Sequence, residues 1–208
     1  MVAAYLRGLI FDGTLPPGSR IPQDEVAEVF GLSRIPVREA LAMLATEGRV
    51  TIELHRGAFV NVMDERSVYE AMDLMDLLIE FVVRRTVDHK DPALMDQLAS
   101  ARRRLQSART AAEVDEATAT ARELVFRGGT SARVFAALSH VLTLSPPNMC
   151  QAFPGLHKYY KRAYIEMIKA IEAGDADRAV QAMRDTAAEA NRIVLGGLRA
   201  RGVVIDDR

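Results

Sequence analysis

At 208 residues, with 49% hydrophobic and 26% charged side chains, the chain can bury one good core and a small second one. No run of about 18 apolar residues offers a membrane span, the first residues lack the pattern of a signal peptide, and Cys150 as the sole cysteine excludes an internal disulfide, so a reducing cytoplasm is the expected setting. The formal net charge is −1, and residues 1–63 hold six arginines, no lysine and seven carboxylates, which excludes nucleic-acid binding by bulk attraction and leaves only local placement of charge.

In chain order, Pro22-Gln-Asp-Glu-Val-Ala-Glu-Val-Phe30 predicts a short helix with Val26, Val29 and Phe30 apolar. Gly31-Leu32-Ser33 then makes a three-residue turn, with Gly31 ending the first helix at positive φ and Ser33 expected to cap the second through its hydroxyl. Pro36 falls in that helix's first turn, where a missing amide hydrogen costs little. Val37, Ala40, Leu41 and Leu44 recur at helical spacing and give a core-facing stripe, whereas Arg34 and Arg38 stand four apart near the leading end. Two arginines so placed equally suit a solvated surface. Helix, short turn with Gly and helix are nevertheless the helix-turn-helix signature, and a recognition helix reads base edges from its N-terminal residues.

After Glu47-Gly48-Arg49 the period changes from 3.6 to 2. Val50, Ile52 and Leu54 alternate with polar residues, His55-Arg56-Gly57 makes a tight reversal, and Phe59 to Val62 is extended, so a hairpin is predicted. Arg34, Arg38, Arg49 and Arg56 are expected near a duplex, with Asp24, Glu25 and Glu28 mostly turned away.

Residues 4–62 resemble the winged helix-turn-helix of GntR-type bacterial transcription regulators. The resemblance rests on four blocks in order: Ile10 to Ile21, Ser33-Arg-Ile-Pro-Val-Arg-Glu-Ala-Leu41, Glu47-Gly48 and Arg56-Gly-Ala-Phe-Val60. It implies that Ser33, Arg34, Ile35 and Arg38 approach the major groove of double-stranded DNA while Arg56 and Gly57 at the wing tip reach the minor groove. A bare Gly57 would let the backbone approach the sugar edges. One departure is Asp24, which stands where some relatives carry an arginine; a contact is lost there, and a nearby phosphate would be repelled.

Past Met63-Asp64-Glu65-Arg66 the pattern is helical to the end, with helices expected over about 66–88, 92–108, 111–127, 131–144, 148–173 and 176–201. Asp91-Pro92 reads as an N-cap with proline behind it, Thr110-Ala-Ala-Glu113 as a capping box, and Pro154-Gly155 as a break or kink in the fifth helix. The fold expected is mainly α, with a winged domain over 1–63 and an antiparallel bundle of about six helices over 64–208. The bundle resembles the effector domain of the FadR branch of the same family, on Glu80, Glu123-Leu-Val-Phe-Arg127, Ala170 to Ala179 and Met183.

Many members of that branch hold a divalent metal with an Asp and three His. The matching positions here are Glu123, Arg127, Tyr164 and Thr186. Arginine stays protonated and Tyr and Thr are poor ligands, so no metal and no cofactor are expected. These four residues are instead the expected effector site, with Arg127 offering donors to an anionic ligand such as a carboxylate or an acyl compound. An i,i+4 surface ion pair between Glu123 and Arg127 fits the spacing equally well. His55, His89, His140 and His157 show no metal-ligand spacing, Cys150 lacks an obvious His and acid partner, and Arg102-Arg103-Arg104 suits a solvated helix face. The expectation as a whole is a homodimeric, ligand-responsive repressor, not an enzyme, on a near-palindromic operator. The alternatives are an architectural DNA binder with a ligand-free bundle, a metal-dependent sensor, or a DNA-tethered enzyme.

Overall fold

The computed structural model describes residues 1–89, 91–142 and 148–205. Its elements in chain order are α1 (Val2–Phe11), α2 (Gln23–Phe30), α3 (Arg34–Thr46), β1 (Val50–Glu53), β2 (Gly57–Val60), β3 (Met63–Asp64), α4 (Glu65–His89), α5 (Pro92–Ser107), α6 (Ala111–Gly128), α7 (Ala132–Leu142), α8 (Met149–Ala152), α9 (Leu156–Glu172), α10 (Ala176–Ala200) and β4 (Val204–Ile205). They form two compact units: Met1–Val68 together with the chain from Leu195 on, and Tyr69–Val194.

The first unit is built on the apolar stripe of α3. Val37, Leu41 and Leu44 are buried against Leu6 and Ile10 of α1 and Val26 of α2. Gly31 closes α2 in the left-handed region at φ 60°, which lets the Leu32 N–H donate to the Ala27 carbonyl at 2.9 Å and turns the chain into α3. β1 and β2 pair antiparallel, with Val50 opposite Val60 and Glu53 opposite Gly57. The preceding loop borders the wing, since Ile21 donates to the Ala58 carbonyl at 2.8 Å and Gly18 to that of Val60 at 2.8 Å.

Glu47, at the end of α3, accepts from the Arg7 guanidinium at 2.8 Å and so ties α1 to α3. Residues 195–205 also pack here, a departure from the expectation that all of 64–208 belongs to the bundle. Val203 and Val204 are buried, Met63 and Asp64 pair parallel with Val204 and Ile205, and Arg201 lies over the Phe11 ring. A short apolar run at the end of a polar helix needs cover, and strand pairing supplies it.

In the second unit α5, α6 and α9 pack together around Leu98, Leu105, Ala121, Val125, Phe126 and Ile168. Asp91 caps α5 by accepting from the Ala93 N–H at 3.0 Å. The Thr110–Glu113 capping box forms in both directions. The chain breaks at Pro154-Gly155 into α8 and α9, so seven helices follow the wing among the described residues. Of the helix expected over 131–144, α7 runs to Leu142, and 143–144 lie outside the described residues, as does the side chain of His140. Arg102 pairs with Glu172 at 3.0 Å and Arg104 with Glu116 at 2.5 Å, so this basic run joins helices and is not simply solvated.

Candidate nucleic-acid interface

Ser33 occupies the N-cap position of α3 with extended backbone, yet its hydroxyl makes no capping hydrogen bond, contrary to the sequence reading. Pro36 explains part of this. It is the third residue of α3, where a capped amide would stand, and it has no N–H. The Ser33 hydroxyl is therefore left exposed for another partner.

Beyond it the leading turns of α3 expose Arg34, Ile35 and Arg38. Ile35 is 68% exposed, the Arg34 side chain likewise 68%, and Arg38 is exposed with no ion pair among the described residues. Ile35, Arg38 and Glu39 of α3 line an open groove of about 620 Å³ together with Ile52, Glu53, Leu54, His55 and Gly57 of the wing region, so two carboxylates share it with the guanidinium. A groove with a guanidinium fork and a branched aliphatic side chain at its lip carries the groups that read guanine edges and thymine methyls.

At the wing, Arg56 pairs with Glu53 and lies over the Phe59 ring, 5.6 Å from its centroid. Gly57 has φ 111°, a conformation that disfavours any side chain, and an added Cβ would stand 3.0 Å from the Arg20 Nε. The bare backbone at this position is thus required inside the protein itself, which is a different reason from the one inferred from sequence. Arg20 was not singled out from sequence as a contact; the signal was its place in the Pro16-Pro-Gly-Ser-Arg-Ile21 block, which pairs with β2.

Two expectations about charge are corrected. Arg49 is not at a DNA-facing surface: it is only 9% exposed and its Nε is 3.3 Å from Glu47. Burial pulls its guanidinium below the ordinary value, and Glu47 pulls the other way. Asp24 is not turned away either. Its carboxylate takes the Arg34 Nε and, at 2.7 Å, one terminal nitrogen of the same fork. Of the arginines left near α3 and the wing, Arg34 and Arg56 are already paired with acids, whereas Arg20 and Arg38 have no ion pair among the described residues.

In the bundle, Glu123 and Arg127 pair at 2.7 Å with side chains 58% and 60% exposed, and the Arg127 guanidinium sits 4.3 Å from the Phe135 ring centroid. Tyr164 is buried, and so is Thr186, whose hydroxyl donates to the Met183 carbonyl. Among the described residues, no hydrogen bond or ring contact joins Arg127 to Tyr164 or Thr186. Arg127 is thus a surface partner of Glu123 and not a buried donor, and the four positions fit a divalent ion poorly, since beside one carboxylate they offer an arginine with no lone pair to give, a tyrosine and a threonine.

The inner face between α6 and α9 instead gathers Asp115, Arg122, Cys150, Tyr160 and Tyr164. Buried Asp115 accepts from the Cys150 N–H at 2.7 Å and the Gln151 N–H at 3.1 Å, while the Tyr160 and Tyr164 rings lie 6.3 Å apart. Burial pushes both phenols up, and Arg122 opposes the shift. Cys150 is buried, and the loss of solvent together with Asp115 pushes its thiol far up, which favours the protonated form.

Residues 1–60 match the family described as bacterial regulatory proteins, gntR family. An uncharacterized HTH-type transcriptional regulator of Mycobacterium tuberculosis is 32% identical over 108 residues, 52% of this chain and 44% of that protein. The gluconate operon transcriptional repressor of Bacillus subtilis is 38% identical over 86 residues, 41% of this chain and 35% of the repressor. Each alignment thus spans less than half of the relative's length. The crystal structure of a GntR protein of Rhodococcus sp. RHA1 superposes with a TM-score of 0.61 at 26% identity, over 94% of this chain and 96% of that one. The chain therefore carries a gntR-family helix-turn-helix domain at its N-terminus, followed by a helical domain whose architecture occurs in a solved GntR protein.

Proposed function

We propose that the protein is a transcription regulator, a repressor, that binds a near-palindromic operator in double-stranded DNA as a homodimer in the cytoplasm. The observation that carries this reading is the pair of exposed forks, Arg34 and Arg38, four residues apart on the leading turns of α3 beside the wing groove. Ser33, Arg34, Ile35 and Arg38 serve as major-groove contacts. Arg56 and Gly57 bring the wing to the minor groove, with Arg20 as a further cation there. The repressor assignment draws on the gluconate operon repressor.

On a duplex selected by the wild-type protein from a random library, Arg38→Ala is expected to lose sequence-specific binding while the oligomeric state is unchanged. Equal affinity of the two proteins, measured by fluorescence anisotropy, would remove α3 from the interface.

The helical domain, which resembles the effector domain of the FadR branch, is proposed to bind an anionic effector, a carboxylate or an acyl compound, without the metal that many members of that branch hold, because arginine, tyrosine and threonine stand at the ligand positions. Tyr164 is buried beside Tyr160, and Arg122 is near enough to oppose the rise of both phenols, so Arg122 takes the role expected of Arg127, while Glu123 stays on the surface as the partner of Arg127 and Thr186 bonds within its own helix. Effector binding would favour one arrangement of the DNA-binding domains over another and so change operator affinity through linkage. In a thermal-shift screen of small carboxylates and acyl-coenzyme A compounds, a true effector at a hundred times its Kd stabilises by about 2.7 kcal/mol. A screen without any shift would favour a bundle that serves dimerisation alone, the reading to which the surface pairing of Glu123 with Arg127 lends support.

A further inference from the structure

The structure assigns Asp24 as a positioning residue that dictates which edge of the Arg34 guanidinium meets a base. This rests on the DNA-binding reading above. It adds to it a specificity determinant on the helix before the turn.

A guanidinium carries five N–H donors arranged as two forks. One fork, side-on, is formed by Nε and the terminal nitrogen on the same side; the other, end-on, is formed by the two terminal nitrogens. Asp24 takes the side-on fork: Oδ1 faces Nε, and Oδ2 accepts from one terminal nitrogen at 2.7 Å. The end-on fork keeps two parallel N–H groups, and these suit guanine O6 and N7. The position of Asp24 is itself favourable in the absence of DNA, because it lies in the first turn of α2, where the backbone amides attract a carboxylate.

Two consequences have opposite signs. A free arginine samples many rotamers and offers either fork to either a phosphate or a base. Held by a bidentate carboxylate, Arg34 presents one fork in one direction, so discrimination between bases rises. At the same time the pair is close to neutral, so Arg34 contributes little to indiscriminate attraction for phosphates. The acid that would have seemed a defect in a DNA-binding surface thus exchanges general affinity for selectivity. Arg38, with no ion pair among the described residues, carries the charge that Arg34 does not.

The test compares the full-length wild-type protein with Asp24→Asn and Arg34→Ala by selection from random duplexes and by anisotropy on a random-sequence duplex. Wild type is expected to select a guanine in each half-site that Arg34→Ala no longer selects. A bidentate arginine–guanine pair discriminates by roughly 5- to 150-fold, and Asp24→Asn should reduce the preference at that one position by about fivefold or more. The same variant should bind the random duplex a few-fold more tightly, because one negative charge per protomer is gone.

A preference for that guanine unchanged or sharpened in Asp24→Asn would overturn the proposal, even if the random-duplex affinity rose, since Asp24 would then be only a repelling charge. If Arg34→Ala loses the guanine and Asp24→Asn does not, the buttress fails and the DNA-binding reading stands. If wild type selects no sequence at all, both fail.

Discussion

Glu47 illustrates how one side chain decides what its neighbours can do. Its side chain is only 5% exposed and receives both the Arg7 fork and the Arg49 Nε. Burial by itself raises its pKa, but the Arg7 hydrogen bonds and the charges of Arg7 and Arg49 outweigh this, and the net shift is below the ordinary 4.5. A carboxylate depressed in the folded state contributes stability that is present above its unfolded value and is lost as pH falls through its folded value. Glu47→Gln is therefore expected to cost about 1.5–3 kcal/mol at neutral pH, the scale of a charged hydrogen bond. It should also flatten the loss of stability below pH about 4.5, the ordinary value. Urea unfolding at the two pH values checks both, and an identical pH dependence in the variant would show that Glu47 is not the titrating group. Sequence could mark Glu47-Gly48 as a motif block but could not say that its acid is spent inside the domain, because Arg7 lies forty residues away in the chain.

At the scale of elements, most of what depends on local spacing was legible in the chain. The turn between α2 and α3, the wing, the Asp91 cap, the capping box at Thr110 and the break at Pro154-Gly155 each follow from residues a few positions apart. What was not legible depends on partners brought close by folding. Asp24 and Arg34 lie on different helices, and the expectation that the acid faces away treated charge as a surface average and not as a pair. The Ser33 cap failed for a local reason, Pro36, that the sequence did display. In the bundle, alignment with a metal-binding pattern placed Arg127 inside, whereas helix periodicity puts Ala121, Val125 and Phe126 on the buried face of α6 and Arg127 off it. Asp115 and Thr118 belong to the buried face of α6 and half-buried Arg122 follows at the same helical spacing, a pattern that periodicity alone could have found.

For the molecule as a whole, the balance of charge sets the strength of its attraction to a polyanion. Of the six arginines in residues 1–63, Arg7 and Arg49 are engaged with Glu47, and Arg34 and Arg56 face acids. Few phosphates can then be neutralised, and the salt dependence of binding should report fewer than about eight per dimer. Anisotropy over a range of salt concentrations measures this slope. A steeper one would contradict this picture of a surface whose arginines are largely paired.

The most direct measurement of the central claim is a structure of the protein on its selected duplex. The account predicts the Arg38 and Arg34 guanidinium groups within about 3 Å of base edges in the major groove, with Asp24 still on the side-on fork of Arg34. Both groups resting only on phosphates, or pointing away from the duplex while some other surface holds the DNA, would contradict it.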